Sequence, residues 1–128
     1  NPLACSAAIE VLNILKDEQI IPKAVENGKY FNKIIKEKFE DLPYVGEVRH
    51  IGLVNAIEIV KDKKTKEGYP SNLRLGYQIY KKALKKGVLL RPLGDVIYFN
   101  PPLIIQPDDM DFVTDVAKEC MVEVMKDM

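Results

Sequence analysis

The sequence predicts an α+β fold: two layers, a small antiparallel sheet with helices packed on one face. Three observations carry this. Apolar residues recur at helical spacing in four segments, two at the start, one past the middle and one at the end. Between them the chain becomes β-branched and punctuated by glycine, at 44–60 and again at 88–99. The strands come in adjacent pairs, which implies antiparallel pairing under a layer of helices.

Each element has its own signal. Asn1 is a strong N-cap and Pro2 suits the first helical position. Leu3, Ala4, Ala7, Ala8, Val11, Leu12, Ile14 and Leu15 then give a first helix with a broad apolar face. The abrupt start, on Asn and on a helix, reads as a piece of a longer chain. A second helix is expected from Ile20 to Leu42, with the stripe Ile20, Ala24, Tyr30, Phe31, Ile34, Ile35, Phe39 and Leu42. Gly28 is its weak point, costing up to about 1 kcal/mol relative to Ala, and Pro43 ends it. "YVGEVRHIGLVNAIEIV", residues 44–60, reads as two strands with a sharp break at Gly52. Residues 61–71 form a polar loop whose lysines read as solvated surface.

A third helix is expected over Asn72–Lys86, with Leu73, Tyr77, Tyr80 and Leu84 on one face and Gly87 in the left-handed position after it. "VLL" and "DVIYF" read as two short strands joined by Arg91-Pro92-Leu93-Gly94. The last helix is expected over Pro107–Lys126, with Asp108 and Asp109 at its positive end. Its stripe is Phe112, Val113, Val116, Ala117, Cys120, Met121 and Val124.

The 128 residues suffice for one domain with a real core. Lys+Arg and Asp+Glu are 19 each, so neither a nucleic acid nor a membrane surface is expected as partner. No apolar run reaches the roughly 18 residues of a membrane span, and no signal peptide is visible. Cys5 and Cys120 are far from metal-ligand spacing, and both read as buried reduced thiols of a cytosolic protein. No metal site is expected.

Motifs for chemistry are scarce. The lone histidine, His50, reads as a packed or partly exposed strand residue, and no nucleophile elbow, zinc motif or phosphate loop is present. Tyr69, Tyr77 and Tyr80 read as packing residues. Arg91 stands out, at the end of the apolar run Val88-Leu89-Leu90. A guanidinium grips a carboxylate through a fork of two hydrogen bonds. Pro92 breaks the strand ladder, Gly94 turns the chain, and Tyr98 returns near the same sheet end with a hydroxyl to offer. Two readings stay open at this level: a rigid carboxylate clamp, or an exposed turn arginine paired with Asp95.

Three ordered segments, "NPLACSAAIEVL", "VGEVRHIGLVNAIEIV" and "GVLLRPLGDVIYFNPPLII", together resemble the C-terminal part of class III (ω-) aminotransferases, pyridoxal-phosphate enzymes of fold type I. The third is most similar to the branch that aminates 8-amino-7-oxononanoate with S-adenosylmethionine, a step of biotin biosynthesis. The resemblance implies that Arg91 binds the carboxylate of the acceptor and that Tyr98 lies in the same pocket. It implies residues 1–18 as a linking helix and 19–128 as the C-terminal small domain of a cytoplasmic homodimer. The Schiff-base lysine, the aspartate under the pyridine nitrogen, the aromatic wall and a Gly-Pro-Thr segment would precede Asn1. No catalytic or cofactor-binding residue is then expected in this chain, and the chain alone is predicted inactive. Phe99-Asn100 departs from the Leu-Met usual before the two prolines, and Gln106 from the usual Ser or Thr cap. The alternatives are another class III enzyme, of 4-aminobutyrate or acetylornithine type, and a non-catalytic carboxylate-binding module.

Overall fold

The computed structural model describes all residues from Asn1 to Met128. Helix α1 spans Pro2–Asp17, and the Leu3 N–H donates to Asn1 Oδ1 at 3.1 Å, the expected cap. No residue of α1 is buried, and it packs chiefly on the helix that follows. Its apolar face therefore has no cover within the chain. Cys5 rides on this helix and is exposed, contrary to expectation, while Cys120 is buried as expected. Gln19 takes a left-handed conformation, φ 53°, and redirects the chain.

Helix α2, Ile20–Phe39, buries Ala24, Gly28, Phe31, Ile34, Ile35 and Phe39. It ends before the expected Leu42, because the chain already turns at Glu40 to Leu42, ahead of Pro43. Tyr30 leaves the expected stripe and donates its hydroxyl to Asp111 Oδ2 at 2.7 Å. Gly28 is also a close-approach residue: a Cβ there would lie 3.0 Å from the Gly52 carbonyl oxygen.

Strands β1, Val45–Ile51, and β2, Val54–Ile59, pair antiparallel around Gly52-Leu53, with Gly52 at φ 56°. Strands β3, Arg91–Leu93, and β4, Val96–Phe99, form the second hairpin, and the sheet order is β1-β2-β4-β3. Two expectations are corrected here. Val88-Leu89-Leu90 is not a strand: the strand begins at Arg91. It also continues through Pro92, whose register partner is Ile97. An edge strand has one side without a ladder partner, so a residue with no N–H is tolerated there.

A 3₁₀ turn over Ser71–Leu73 leads through left-handed Arg74, φ 48°, into helix α3, Leu75–Lys85. Its buried face is Leu75, Gly76, Ile79 and Ala83, not the expected Leu73, Tyr77, Tyr80 and Leu84. Two apolar stripes compete on this helix. The compact aliphatic one fits the core, and Tyr77 of the other is left exposed, with the Arg74 guanidinium 4.4 Å above its ring.

Helix α4, Pro107–Lys126, matches its expected bounds. Val116, Ala117, Cys120, Met121 and Val124 are buried as expected, but Phe112 is 52% exposed. Helices α2 and α3 pack on one face of the sheet, and α4 packs against both of them in the same core, so the two-layer α+β class is the observed one. Phe99 of β4 meets Phe31 edge-on at 5.8 Å inside this layer. Lys82 of α3 and Lys86, the residue after it, bridge to Glu123 and Glu119 of α4 at 3.0 and 2.7 Å. In the polar loop, Lys63 and Lys66 donate to backbone carbonyls of Glu40, Leu42 and Gly46, and Lys61 pairs with Glu67.

Candidate functional site

The site is built on the sheet face that no helix covers. Ile57, Ile97 and Phe99 point into the core, so their strand neighbours point the other way. The register then sets two parallel rows across that open face. One is Arg49–Ala56–Tyr98–Arg91. The other is Glu47–Glu58–Val96–Leu93. Arg91 and Tyr98 are direct cross-strand partners, so the structure brings together the two residues that the sequence singled out.

The three arginines of the chain have different partners. The Arg49 Nη1 donates to Glu47 at 2.9 Å and to Glu58 at 3.2 Å. Burial works to lower its pKa, but the bonds to Glu58 and Glu47 outweigh this and hold it above the usual guanidinium value. Arg74 lies over Tyr77. Arg91 is exposed and makes no hydrogen bond or salt bridge. The pairing with Asp95 that the local sequence left open is not formed. Asp95 Oδ1 instead faces the Gly76 N–H at the start of α3, at 3.4 Å.

The β3–β4 hairpin is held from behind. A Cβ on Gly76 would run into the Gly94 carbonyl oxygen, so α3 sits directly against the turn. Gly94 itself needs φ 59°. Arg91 is thus a free cation on a strand whose turn is fixed by helix packing.

Tyr98 borders two cavities and Arg91 lines neither. One, of about 400 Å³, opens at the sheet end among Phe31, Val88, Leu90, Phe99, Pro101 and Phe112. The other, of about 200 Å³, lies over Ala56 between Arg49, Ile51, Val54 and Tyr98. His50 is exposed beside it in β1. No group of three His, Cys, Asp or Glu is placed to hold a metal ion. No helix is long and apolar enough to cross a membrane.

Residues 1–121 match the family model of class-III aminotransferases. The chain belongs to this family. It is 38% identical, over its whole length, to the adenosylmethionine-8-amino-7-oxononanoate aminotransferase of Aquifex aeolicus, and covers 28% of that protein. It is 40% identical over 123 residues to the Methanocaldococcus jannaschii protein of the same name, covering 96% of this chain and 26% of that one. A putrescine–pyruvate aminotransferase of Pseudomonas aeruginosa is 35% identical over 122 residues, with 94% and 26% covered. The crystal structure of the Methanocaldococcus jannaschii protein superposes with a TM-score of 0.88 at 39% identity, over 96% of this chain and 28% of that one. This class III chain therefore spans about a quarter of the length of the relatives it matches.

Class III aminotransferases use pyridoxal phosphate. The residues present do not form a site for it. The cofactor needs an amine for its aldehyde and a charged partner for its ring nitrogen. Two cavities, of about 400 and 190 Å³, are lined by a lysine, Lys23 and Lys63. Lys63 is engaged with two backbone carbonyls, and the cavity of Lys23 holds one acid, Glu18, but no aromatic ring to stack on the cofactor and no second cation for its phosphate.

Arg74 and the Arg49 acid pair were not singled out from sequence. The alternation of Glu47, Arg49 and Glu58 in two strands was the available signal for the latter.

Proposed function

We propose that this chain is the C-terminal small domain, residues 19–128 with the linking helix 1–18, of a homodimeric class III aminotransferase. The full-length enzyme transfers an amino group from S-adenosylmethionine to 8-amino-7-oxononanoate. Arg91 binds the carboxylate of the acceptor and Tyr98 sits beside it. Bound pyridoxal phosphate supplies the amine-carrying chemistry, from residues outside this chain, and the chain alone is inactive.

The observation that carries this reading is the state of Arg91. It is the arginine with no partner, on an open sheet face, directly across from a tyrosine. A free guanidinium forks two hydrogen bonds to a carboxylate and fixes one end of a substrate, so that the other end is oriented for reaction. The similarity to two proteins named for the 8-amino-7-oxononanoate reaction supports the choice of substrate. The uncovered apolar face of α1 fits a helix that the rest of the full-length protein would cover.

The test is a two-substrate assay of the full-length enzyme. With S-adenosylmethionine as donor, 8-amino-7-oxononanoate is converted. Arg91→Ala lowers kcat/KM for the acceptor by about 10- to 150-fold, the equivalent of roughly 1.5–3 kcal/mol for a charged hydrogen bond, and Arg91→Lys recovers part of it. Turnover of putrescine and pyruvate with no use of S-adenosylmethionine would replace the substrate assignment. An unchanged kcat/KM in Arg91→Ala would remove the clamp.

A further inference from the structure

We propose that the outer face of α3 is a docking surface for an acidic polypeptide segment of a partner protein. This face lies on the helix side of the sheet, away from Arg91, and the inference does not depend on the role of Arg91.

The chain has no net charge, but its charges are unevenly placed. From Gly68 to Gly94 there are four lysines, two arginines and no acid. The fold then sorts these cations. Lys82 and Lys86 turn to α4 and take up Glu119, Glu123 and Asp127. Arg74, Lys81 and Lys85 fall with Tyr77 on one exposed stripe, at positions i, i+7, i+11 and i+3. None of these three cations has a carboxylate partner. The Arg74 guanidinium and the Lys81 ammonium instead share the Tyr77 ring, at 4.4 and 5.1 Å from its centroid. Like charges gathered without a counter-charge raise the local potential for an anion.

The stripe ends in a recess. At its N-terminal end a cavity of about 480 Å³ opens between Tyr69, Ser71, Arg74, Tyr77 and Pro92. The one acid on its wall, Asp95, is turned to the Gly76 N–H at 3.4 Å. The two tyrosines and the proline suit one apolar side chain as an anchor, with the cations meeting acids beside it. From Arg74 to Lys85 the stripe is about 16 Å long, the span of about five extended residues. A nucleic acid is the poorer fit, because stacking of its bases needs free ring surface and Arg74 and Lys81 already lie over Tyr77.

The test is fluorescence anisotropy with the full-length enzyme. The probe is a labelled peptide with one phenylalanine between two runs of glutamate. It binds at low salt and weakens as ionic strength rises towards about 0.15 M. Lys81→Glu combined with Lys85→Glu, two exposed positions, lowers the affinity at least about fivefold. Lys16→Glu combined with Lys23→Glu makes the same change of net charge on α1 and α2 and leaves it within about twofold. Replacing the phenylalanine by serine weakens the peptide as well, which supports the cavity as the anchor site. No binding of the glutamate peptide at low salt overturns the proposal. So does equal weakening by the two double variants, which would trace binding to net charge alone. Tighter, α3-dependent binding of a labelled single-stranded oligonucleotide would also overturn it, in favour of a nucleic-acid surface.

Discussion

Arg49 and Arg91 stand in one row of the same sheet face, at its two edges, and meet opposite surroundings. The neighbouring row explains why. At the β1–β2 end it supplies Glu47 and Glu58, and both reach Arg49. At the β4–β3 end the same row supplies Val96 and Leu93, which cannot accept a hydrogen bond. Arg49 bridges two carboxylates that would otherwise face each other as like charges across the strands. Arg91 has no such duty. The comparison teaches that an arginine becomes available for a ligand through what its strand neighbours lack.

The largest effect is expected from breaking the support behind the Arg91 end alone. Gly76→Val drives a side chain into the Gly94 carbonyl and displaces the β3–β4 turn. Overpacking of this kind costs about 1–3 kcal/mol. Hydrogen exchange should rise in β3 and β4 and stay at the parent level in the β1–β2 turn around Gly52. Equal loosening of both hairpins would show that the two ends do not behave as separate regions.

A smaller effect should make the two ends alike. Leu93→Glu places an acid in the position relative to Arg91 that Glu47 holds relative to Arg49. Leu93 is 68% exposed, so folding stability should stay within about 0.5 kcal/mol. An exposed pair contributes about 0.2–1 kcal/mol. Competition from the new acid should then lower acceptor kcat/KM up to about fivefold in the full-length enzyme, with recovery at high salt. No change at low salt would mean that Arg91 is not the group the acceptor meets.

The smallest effect concerns the helix layer behind β3. Hydrogen bonds from Lys82, then Lys86, hold the Glu123 carboxyl below its usual pKa, while both lysines are raised by their acidic partners. A depressed carboxyl contributes stability above its unfolded value, about 4.3, and loses it as pH falls through the lower folded value. The raised lysines contribute at all pH values below about 10.4 and lose this only as pH rises through their folded values. Glu123→Gln should therefore narrow the stability difference between pH 7 and pH 3, measured by denaturant melts, with the effect confined to the acid side. An identical acid profile would assign the acid sensitivity to other carboxylates.

Much of the fold was legible because local signals agreed. The ends of α4, the cap on Asn1 and the glycine turn of the first hairpin follow from residue chemistry within a few positions. The failures have one cause. Helix α3 carries two apolar stripes, and periodicity cannot say which one meets the core. Cys5 sits on an apolar face like any core face, and only the absence of a partner within the chain exposes it. Val88 and Leu90 are buried without belonging to a strand, because burial and ladder pairing are separate conditions.

The sequence by itself determined the two-layer class, the family, and Arg91 with Tyr98 as the pair to watch. These depend on local pattern and on side-chain chemistry, which a linear chain displays. Only the tertiary structure decided that Arg91 is free. That outcome depends on strand order and register: on Asp95 turning to Gly76, and on apolar residues rather than acids falling beside Arg91 in the next row. Ala56 became part of the same row for the same reason. Residues 35 positions apart in the chain are two strands apart in the sheet, and spacing along the sequence carries no record of that distance.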